Sequence, residues 1–506
     1  MANLVERYAS KISGTLSCFD RVVITGTIPG ICYGDGMAAH LRSQGIRIFD
    51  YPKYVEPMRD ELRENAERIA EENGISIEFI RSVHAFRKED RVKEILGGDT
   101  EKSGIVHIFS AMEPCASFYP WHDKQSGITS LRHKDGKCLH YYFYFIDKDF
   151  GLCYMRVPTW APFRLQFYCN GHNWLARKLE SESIGFHQMD NAFTDIDDWG
   201  RAQELADAFP VEALHHVLDR LAGEFCPVLR HFQYMYHWSI MQCEWSEDIV
   251  FKSQKDLKPI YDALSRTAIH AVKCDNVATF LGRKLDGRYK DELGNDFHTR
   301  VEGTRIKHHM GPASIKMYDK QNLVLRIETT VNDVTFFHHY RTVEHRDGTT
   351  EKKIAPMQKT IYSLPALREC MSSANKRYLA FISELEDPSA GLHDVDKLSV
   401  AIKKDGRNFP GFNLFDKGDL ELVVALSRGE CNISGITNKH LRKHLSGKTP
   451  AQISRLLKRL RIHGIIKKAG KTFRYYFTPY GRRVLITALK LRELVVIPSL
   501  TGLATA

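Results

Sequence analysis

Between Ser314 and Thr330 the chain reads SIKMYDKQNLVLRIETT, two alternating runs separated by a polar break. Side chains alternate across a strand, so slipping one run by a single residue would turn every apolar group to the wrong face. The pattern therefore predicts an antiparallel hairpin with one register. With Asp319 and Leu323 closing a three-residue loop of Lys320, Gln321 and Asn322, Met317 stands opposite Leu325 and Ile315 opposite Ile327. Asn tolerates the left-handed backbone that such loops need. One face is then wholly apolar, and the other collects Ser314, Lys316, Tyr318, Val324, Arg326 and Glu328. That polar face has two readings. It meets water as ordinary cross-strand charge pairs, or it is a floor on which a carboxylate helps hold a metal while Lys and Arg receive phosphate. The segment just upstream, FHTRVEGTRIKHHMG, adds His308 and His309 to the neighbourhood.

A Tyr-Asp-Lys strand turning into an Arg-Ile-Glu strand resembles the hairpin of replication initiators and relaxases of rolling-circle plasmids and phages, over roughly 35 residues. The resemblance implies a metal-dependent nickase: Mg²⁺ or Mn²⁺ polarises a phosphate and a tyrosine attacks it. That superfamily carries His-hydrophobic-His, and this chain has no His-x-His. A metal site here would be a degenerate one, using His308 or His309 with Glu328. The related nickases place their tyrosine on a helix after the metal-binding strands. SLPALRECMSSANKRYLAFISELE reads as such a helix, capped by Ser363, with Tyr378 beside Lys376 and Arg377. A tyrosine can act as a covalent nucleophile when nearby cations help ionise it. In this reading Tyr378 attacks, while Lys316 and Arg326 stabilise charge on the phosphate oxygens. Tyr318, Tyr340 and Tyr362 are weaker candidates.

At 506 residues the chain has length for two to four domains. No apolar run approaches the ~18 residues of a membrane span. The opening MANLVERYASKISG lacks the apolar core of a secretory signal. Eleven cysteines are scattered without a CxxC pair, which argues against a zinc ribbon or a disulfide framework and for a reduced, cytoplasmic setting. The net charge of +10 is unevenly placed: residues 416–493 hold 18 Lys and Arg against 5 Asp and Glu, an excess of 13, leaving −3 for the remainder. A basic module on a nearly neutral body is the footprint of nucleic-acid binding.

That module is the most legible part of the chain. KGDLELVVALSRG reads as a short helix ending at Gly429, and TNKHLRKHLSG as a second, capped by Thr437 and stopped at Gly447. In TPAQISRLLKRLRIHG, Thr449 and Gln452 form a capping box, Pro450 takes the first helical position and Gly464 ends the helix. Ile453, Leu456, Leu457 and Leu460 form its apolar stripe. Ser454, Arg455, Lys458, Arg459 and Arg461 lie opposite. GIIKKAGKTFRYYF follows as a hairpin carrying Lys467, Lys468, Lys471 and Arg474, and a last helix opens at Thr478-Pro479. Over roughly 80 residues this order resembles the winged helix-turn-helix of MarR-like regulators. It implies a recognition helix in a major groove and a hairpin wing on the phosphates.

In the N-terminal part DRVVITGTI, IRIFDY, ISIEFI and GIVHIFSAM read as strands, with a helix in VEPMRDELRENAERIAEENG between. Strand–helix alternation points to an α/β sheet with parallel neighbours. Gly26, Gly30, Gly34 and Gly36 match no phosphate-loop spacing. KCLHYYFYFIDKDFGLCYMRV is a hairpin turning at Asp147–Gly151, and PFRLQFYCNG sends Phe163, Leu165, Phe167 and Cys169 inward. Gln242 and Glu244 share a face, a second carboxylate source. The fold class expected is a multidomain α/β (α+β) protein. It has an α/β domain over 1–200, an antiparallel-sheet domain with the hairpin over 201–385, a connection at 386–414 and a winged helix at 415–495. The function expected is a DNA-binding protein of a mobile element or replicon, nicking and rejoining a strand. One rival is a winged-helix regulator or architectural protein without chemistry. A second is an RNA-binding partner stacking bases on Tyr142, Tyr144 and Tyr168. DNA is the expected partner, as duplex on the winged helix and as single strand on the body, and no membrane is expected.

Overall fold

The structure is a computed structural model describing residues 2–81, 86–97, 103–283, 292–300, 303–383, 396–413, 415–427, 431, 435–445, 447–470, 472–490 and 492. Helices and strands are mixed throughout, as the sequence pattern predicts. The principal strands are β1 (Ile12–Thr27), β2 (Ile77–Ile80), β3 (Gly104–His122), β4 (Thr129–Asp147), β5 (Gly151–Pro158), β6 (Leu165–Cys169), β7 (His237–Phe251), β8 (Leu293–Arg300), β9 (Gly303–Met310), β10 (Ala313–Lys320) and β11 (Val324–Val331). Among the described residues, no helix is long and apolar enough to cross a membrane. The chain divides into two compact units. One, here the hairpin unit, comprises residues 1–15, 247–329 and 370–506; the other, the arm unit, comprises 16–246 and 330–369.

In the arm unit the strand order is β7-β1-β6-β5-β4-β3-β2. β2 and β3 pair in parallel, whereas β1–β6, β3–β4, β4–β5 and β5–β6 are antiparallel. From β1 through β6, β5, β4 and β3 to β2, the one parallel pair is β2–β3, and IRIFDY, expected as a parallel neighbour, is not a strand. Ile48–Asp50 is a single tight turn, and Tyr51 opens the helix Tyr51–Glu72 with Pro52 in its first turn. A proline preset to helical φ starts a helix well and cannot donate to a sheet ladder. That helix buries Val55, Met58, Leu62, Ala66 and Ile69, the i, i+3, i+4 stripe of an amphipathic helix.

The β4–β5 hairpin turns where expected, with Asp147 opposite Gly151. Phe163, Leu165, Phe167 and Cys169 are all fully buried. The β3–β4 ladder is longer than its neighbours. β2 reaches only to Ala111 on β3, and β5 begins pairing with β4 at His140. Residues 112–139 therefore run on as a two-stranded arm, paired from Met112–Leu139 to His122–Thr129.

In the hairpin unit the order is β8-β9-β10-β11, with the end of β7 beside β11. The Phe251 N–H donates to the Leu323 carbonyl there. The C-terminal module lies in the same unit. Helices Lys417–Leu426, Asn438–His444 and Pro450–Ile462, a hairpin (466–468 with 475–477) and the helix Pro479–Lys490 follow in the predicted order. Leu422, Leu426, Leu441, Ile453, Leu457, Leu460, Ile465 and Val484 form its core. Leu398 and Phe412, from the segment read as a connection, are buried in that core as well.

Candidate functional site: a sealed polar hairpin and a basic winged helix

The first strand ends at Lys320 and the second begins at Val324, so the three-residue loop is Gln321, Asn322 and Leu323, one position later than the alternation predicts. The Leu323 N–H donates to the Lys320 carbonyl at 3.2 Å, and Gln321 and Asn322 are both left-handed, with φ of 58° and 57°. These two residues supply the left-handed backbone that the turn needs. The faces nevertheless keep their membership. Ile315, Met317, Leu325 and Ile327 are fully buried. On the other side Lys316 Nζ donates to Glu328 Oε1 at 2.6 Å, and the Tyr318 hydroxyl donates to Glu328 Oε2 at 2.7 Å. Arg326 grips Asp248 through Nε and Nη2, both at 2.6 Å, with neither side chain more than 2% exposed. A two-pronged fork of this kind is the strongest ordinary ion-pair geometry. The polar face is mostly buried, with Lys316 and Tyr318 partly exposed at its margin. In it Glu328 accepts from a cation and a hydroxyl, and Arg326 faces a carboxylate.

The other candidates for catalysis separate from it. His308 pairs with Ile315 and His309 with Ser314, so the two histidines project to opposite faces. His308 joins the buried face. There Nδ1 lies 2.7 Å from Asn295 Oδ1 and Nε2 lies 3.1 Å from the Tyr378 hydroxyl. The tautomer that satisfies both bonds carries its proton on Nδ1 and accepts from Tyr378. Burial lowers this imidazole to about 4, with His309 adding a smaller push. His309 sits on the Glu328 face, 3.5 Å from Asp296 Oδ2.

Tyr378 is completely buried, with the rings of Phe280 and His308 edge-on to it. Burial holds its hydroxyl well above the ordinary phenol range. Arg377, expected to help ionise it, donates to the Phe280 carbonyl instead. The sequence-level assignment therefore needs correction on geometry. His308, His309 and Glu328 are not brought together as a ligand set. Tyr378 is a packed core tyrosine, and Lys316 and Arg326 are held by carboxylates. Glu328 keeps carboxylate oxygens of the kind that Mg²⁺ or Mn²⁺ takes, but neither histidine joins it in a ligand set.

The winged helix presents its candidates differently. Thr449 and Gln452 make both bonds of the predicted capping box. Ile453, Leu457 and Leu460 are buried, while Ser454, Arg455, Lys458 and Arg461 are exposed. Ser454 Oγ also accepts from Asn438, which clips the second helix to the third. Arg459 departs from the prediction. Its guanidinium forks onto Asp419 at 2.7 and 2.9 Å, donates to the Pro410 and Gly411 carbonyls and lies 3.8 Å above the Phe412 ring. It is an internal strut, not a groove contact. On the wing Lys467, Lys468 and Arg474 are exposed, and Lys471 lies outside the described residues.

Sequence reasoning passed over two features. Lys439, Arg442 and Lys443 on the second helix are exposed and extend the basic surface. Phe473 in the wing turn is 86% exposed, with Lys468 Nζ 5.8 Å from its ring. An aromatic between a Thr and an Arg in a turn was the available signal. The stacking tyrosines proposed for RNA are engaged too. Tyr142 and Tyr144 are buried beside Phe109, and Tyr142 donates to Glu113 at 2.7 Å. Tyr168 stacks on Tyr154 at 5.1 Å.

Comparison with protein-family models, with curated proteins and with solved structures finds no match for the chain.

Proposed function

We propose that this protein binds duplex DNA through its C-terminal winged helix, as a regulator or architectural protein. The observation that carries the reading is the division of labour on the helix Pro450–Ile462. One side is fixed in the module core, and the opposite side exposes Ser454, Arg455, Lys458 and Arg461 beside a wing with exposed Lys467 and Lys468. A helix so placed fits a major groove, and the wing then meets the flanking phosphates. Phe473 gives the wing an apolar tip of the kind that wedges against a minor groove. The strand-nicking alternative draws less support, since the hydroxyl it needs is buried against His308.

The test is a titration of fluorescent duplex DNA with the full chain and with Arg455→Ala/Lys458→Ala, read by anisotropy at several salt concentrations. The expected result is salt-dependent binding that weakens by about 1–3 kcal/mol per base-reading side chain removed. Equal affinity in the variant would sink the assignment of this helix as the reading element.

A further inference from the structure

The arm unit holds a cleft that neither the hairpin network nor the winged helix uses. Where the arm 112–139 leaves the sheet it encloses, with the helix Tyr51–Glu72, a cavity of about 520 Å³. Four cations line it, Arg59 and Arg63 from the helix and Lys134 and Lys137 from β4, and no lining residue is a carboxylate. Arg59 is held by the adjacent Asp60 at 2.9 Å. Arg63, Lys134 and Lys137 are exposed, and none of these three has an ion-pair partner among the described residues. Like charges gathered around one concavity focus a positive potential there, which draws anions to it.

The rest of the lining supplies planar surface. Tyr119 and Trp160 are half-buried on its wall, and Tyr51 stands edge-on to Trp160 beneath it. The register extends this pattern along the arm. Ser117 pairs with Lys134 and Tyr119 with Arg132, and Arg132 in turn lies 4.5 Å over the exposed ring of Trp121. One face of the arm thus carries Lys134, Tyr119, Arg132 and Trp121 side by side. This is the combination with which proteins hold a single strand, cations on its backbone and rings against its bases.

We propose that this cleft and arm bind single-stranded DNA, seating one nucleotide in the cavity with its phosphate drawn by the lining cations. A free nucleotide shares that chemistry and is separated by the test. The inference goes beyond the duplex contact of the winged helix and stands on different residues.

Cys115 lies in the cavity wall and reports on its occupancy. Its half-buried thiol bonds Cys138, which lowers it from the ordinary cysteine range against the opposing effect of burial. Cys274, exposed in the other unit, is the internal control. The full chain, in reducing buffer, is pulsed with iodoacetamide at increasing concentrations of a ten-residue oligothymidylate, and each thiol is read by mass spectrometry. Binding of the same oligonucleotide is followed in parallel by anisotropy.

The expected result is selective slowing of Cys115. Lys134→Ala/Lys137→Ala should raise the half-protecting concentration by roughly tenfold or more, as loss of two phosphate contacts demands. Arg455→Ala/Lys458→Ala should leave that concentration unchanged, which separates this site from the winged helix. Absence of protection and of anisotropy change, or protection equal in the Lys134/Lys137 variant, would overturn the proposal. Equal protection by thymidine monophosphate would overturn the strand as occupant and assign a free nucleotide.

Discussion

His308 and Tyr378 show how a residue that suggests chemistry in the sequence can be structural. Each completes the other's hydrogen bonding in a place water does not reach, and this has a measurable pH signature. The folded protein holds His308 at about 4, whereas an unfolded histidine titrates near ~6.5. As pH falls through that interval the unfolded chain takes up the proton first. Stability from this group is therefore fully present above ~6.5 and is lost progressively toward 4, by about 3 kcal/mol. His140, also lowered to about 4 chiefly by burial, acts in the same direction. Urea midpoints compared between pH 7 and pH 4.5 should show a smaller drop in His308→Gln than in wild type. An identical drop would mean that the unfolded state holds His308 in the same way. Tyr378→Phe should cost about 1–3 kcal/mol, because it leaves the buried His308 Nε2 without its donor, and should leave duplex binding untouched. A covalent DNA adduct formed by wild type and absent from this variant would restore the nicking reading. The fork between Arg326 and Asp248 is the larger commitment. Arg326→Met leaves a carboxylate buried without its partner and should destabilise by about 3–5 kcal/mol, measured by thermal or urea unfolding.

Elements whose signals are local were legible in the sequence, and those that depend on a third partner were not. The helix Pro450–Ile462 is set by Thr449, Pro450, Gln452 and Gly464, all within the segment, and its bounds follow from them. The two faces of the β10–β11 hairpin were equally readable, because alternation is a property of each strand alone. Its turn was not. Nothing in Gln321 announces a left-handed residue, and the one-position shift of the loop emerges only with the folded strands. Nor could periodicity tell whether the polar face was open, since that depends on Asp248, 78 residues before Arg326. Arg459 illustrates the same limit on a helix. It occupies the basic side with Arg455 and Lys458, yet Asp419 and two carbonyls capture it. The two kinds of arginine should part experimentally. Arg455→Ala is expected to weaken DNA binding and leave the melting temperature alone. Arg459→Ala is expected to lower the stability of the module by about 1–3 kcal/mol, and to affect DNA binding only where the module begins to unfold. Thr449→Ala should cost about 0.5–2 kcal/mol as the loss of a helix cap. Coincident thermal and binding profiles for Arg455→Ala and Arg459→Ala would contradict this separation.

The whole chain keeps its excess positive charge in residues 416–493, while the remaining residues sum to −3. Long-range attraction to a polyanion should therefore reside in the module, and the salt dependence of duplex binding should go with it. Composition could locate that charge but not the edge of the fold that carries it. Leu398 and Phe412 complete the module core, and Arg459 donates to the carbonyls of Pro410 and Gly411. The cut that isolates a stable module is thus before Leu398, not at 415. A fragment beginning at residue 396 should unfold cooperatively and bind duplex DNA with the salt dependence of the full chain. One beginning at 415 lacks two buried apolar side chains and the carbonyls that receive Arg459. It should lose several kcal/mol, since each large buried group removed costs about 2–5 kcal/mol, and should bind weakly or only when cooled. Both fragments can be compared by circular dichroism melts and duplex titration. Equal stability would mean that the segment 396–414 only rests on the module, whereas the expected difference makes it the module's first structural element.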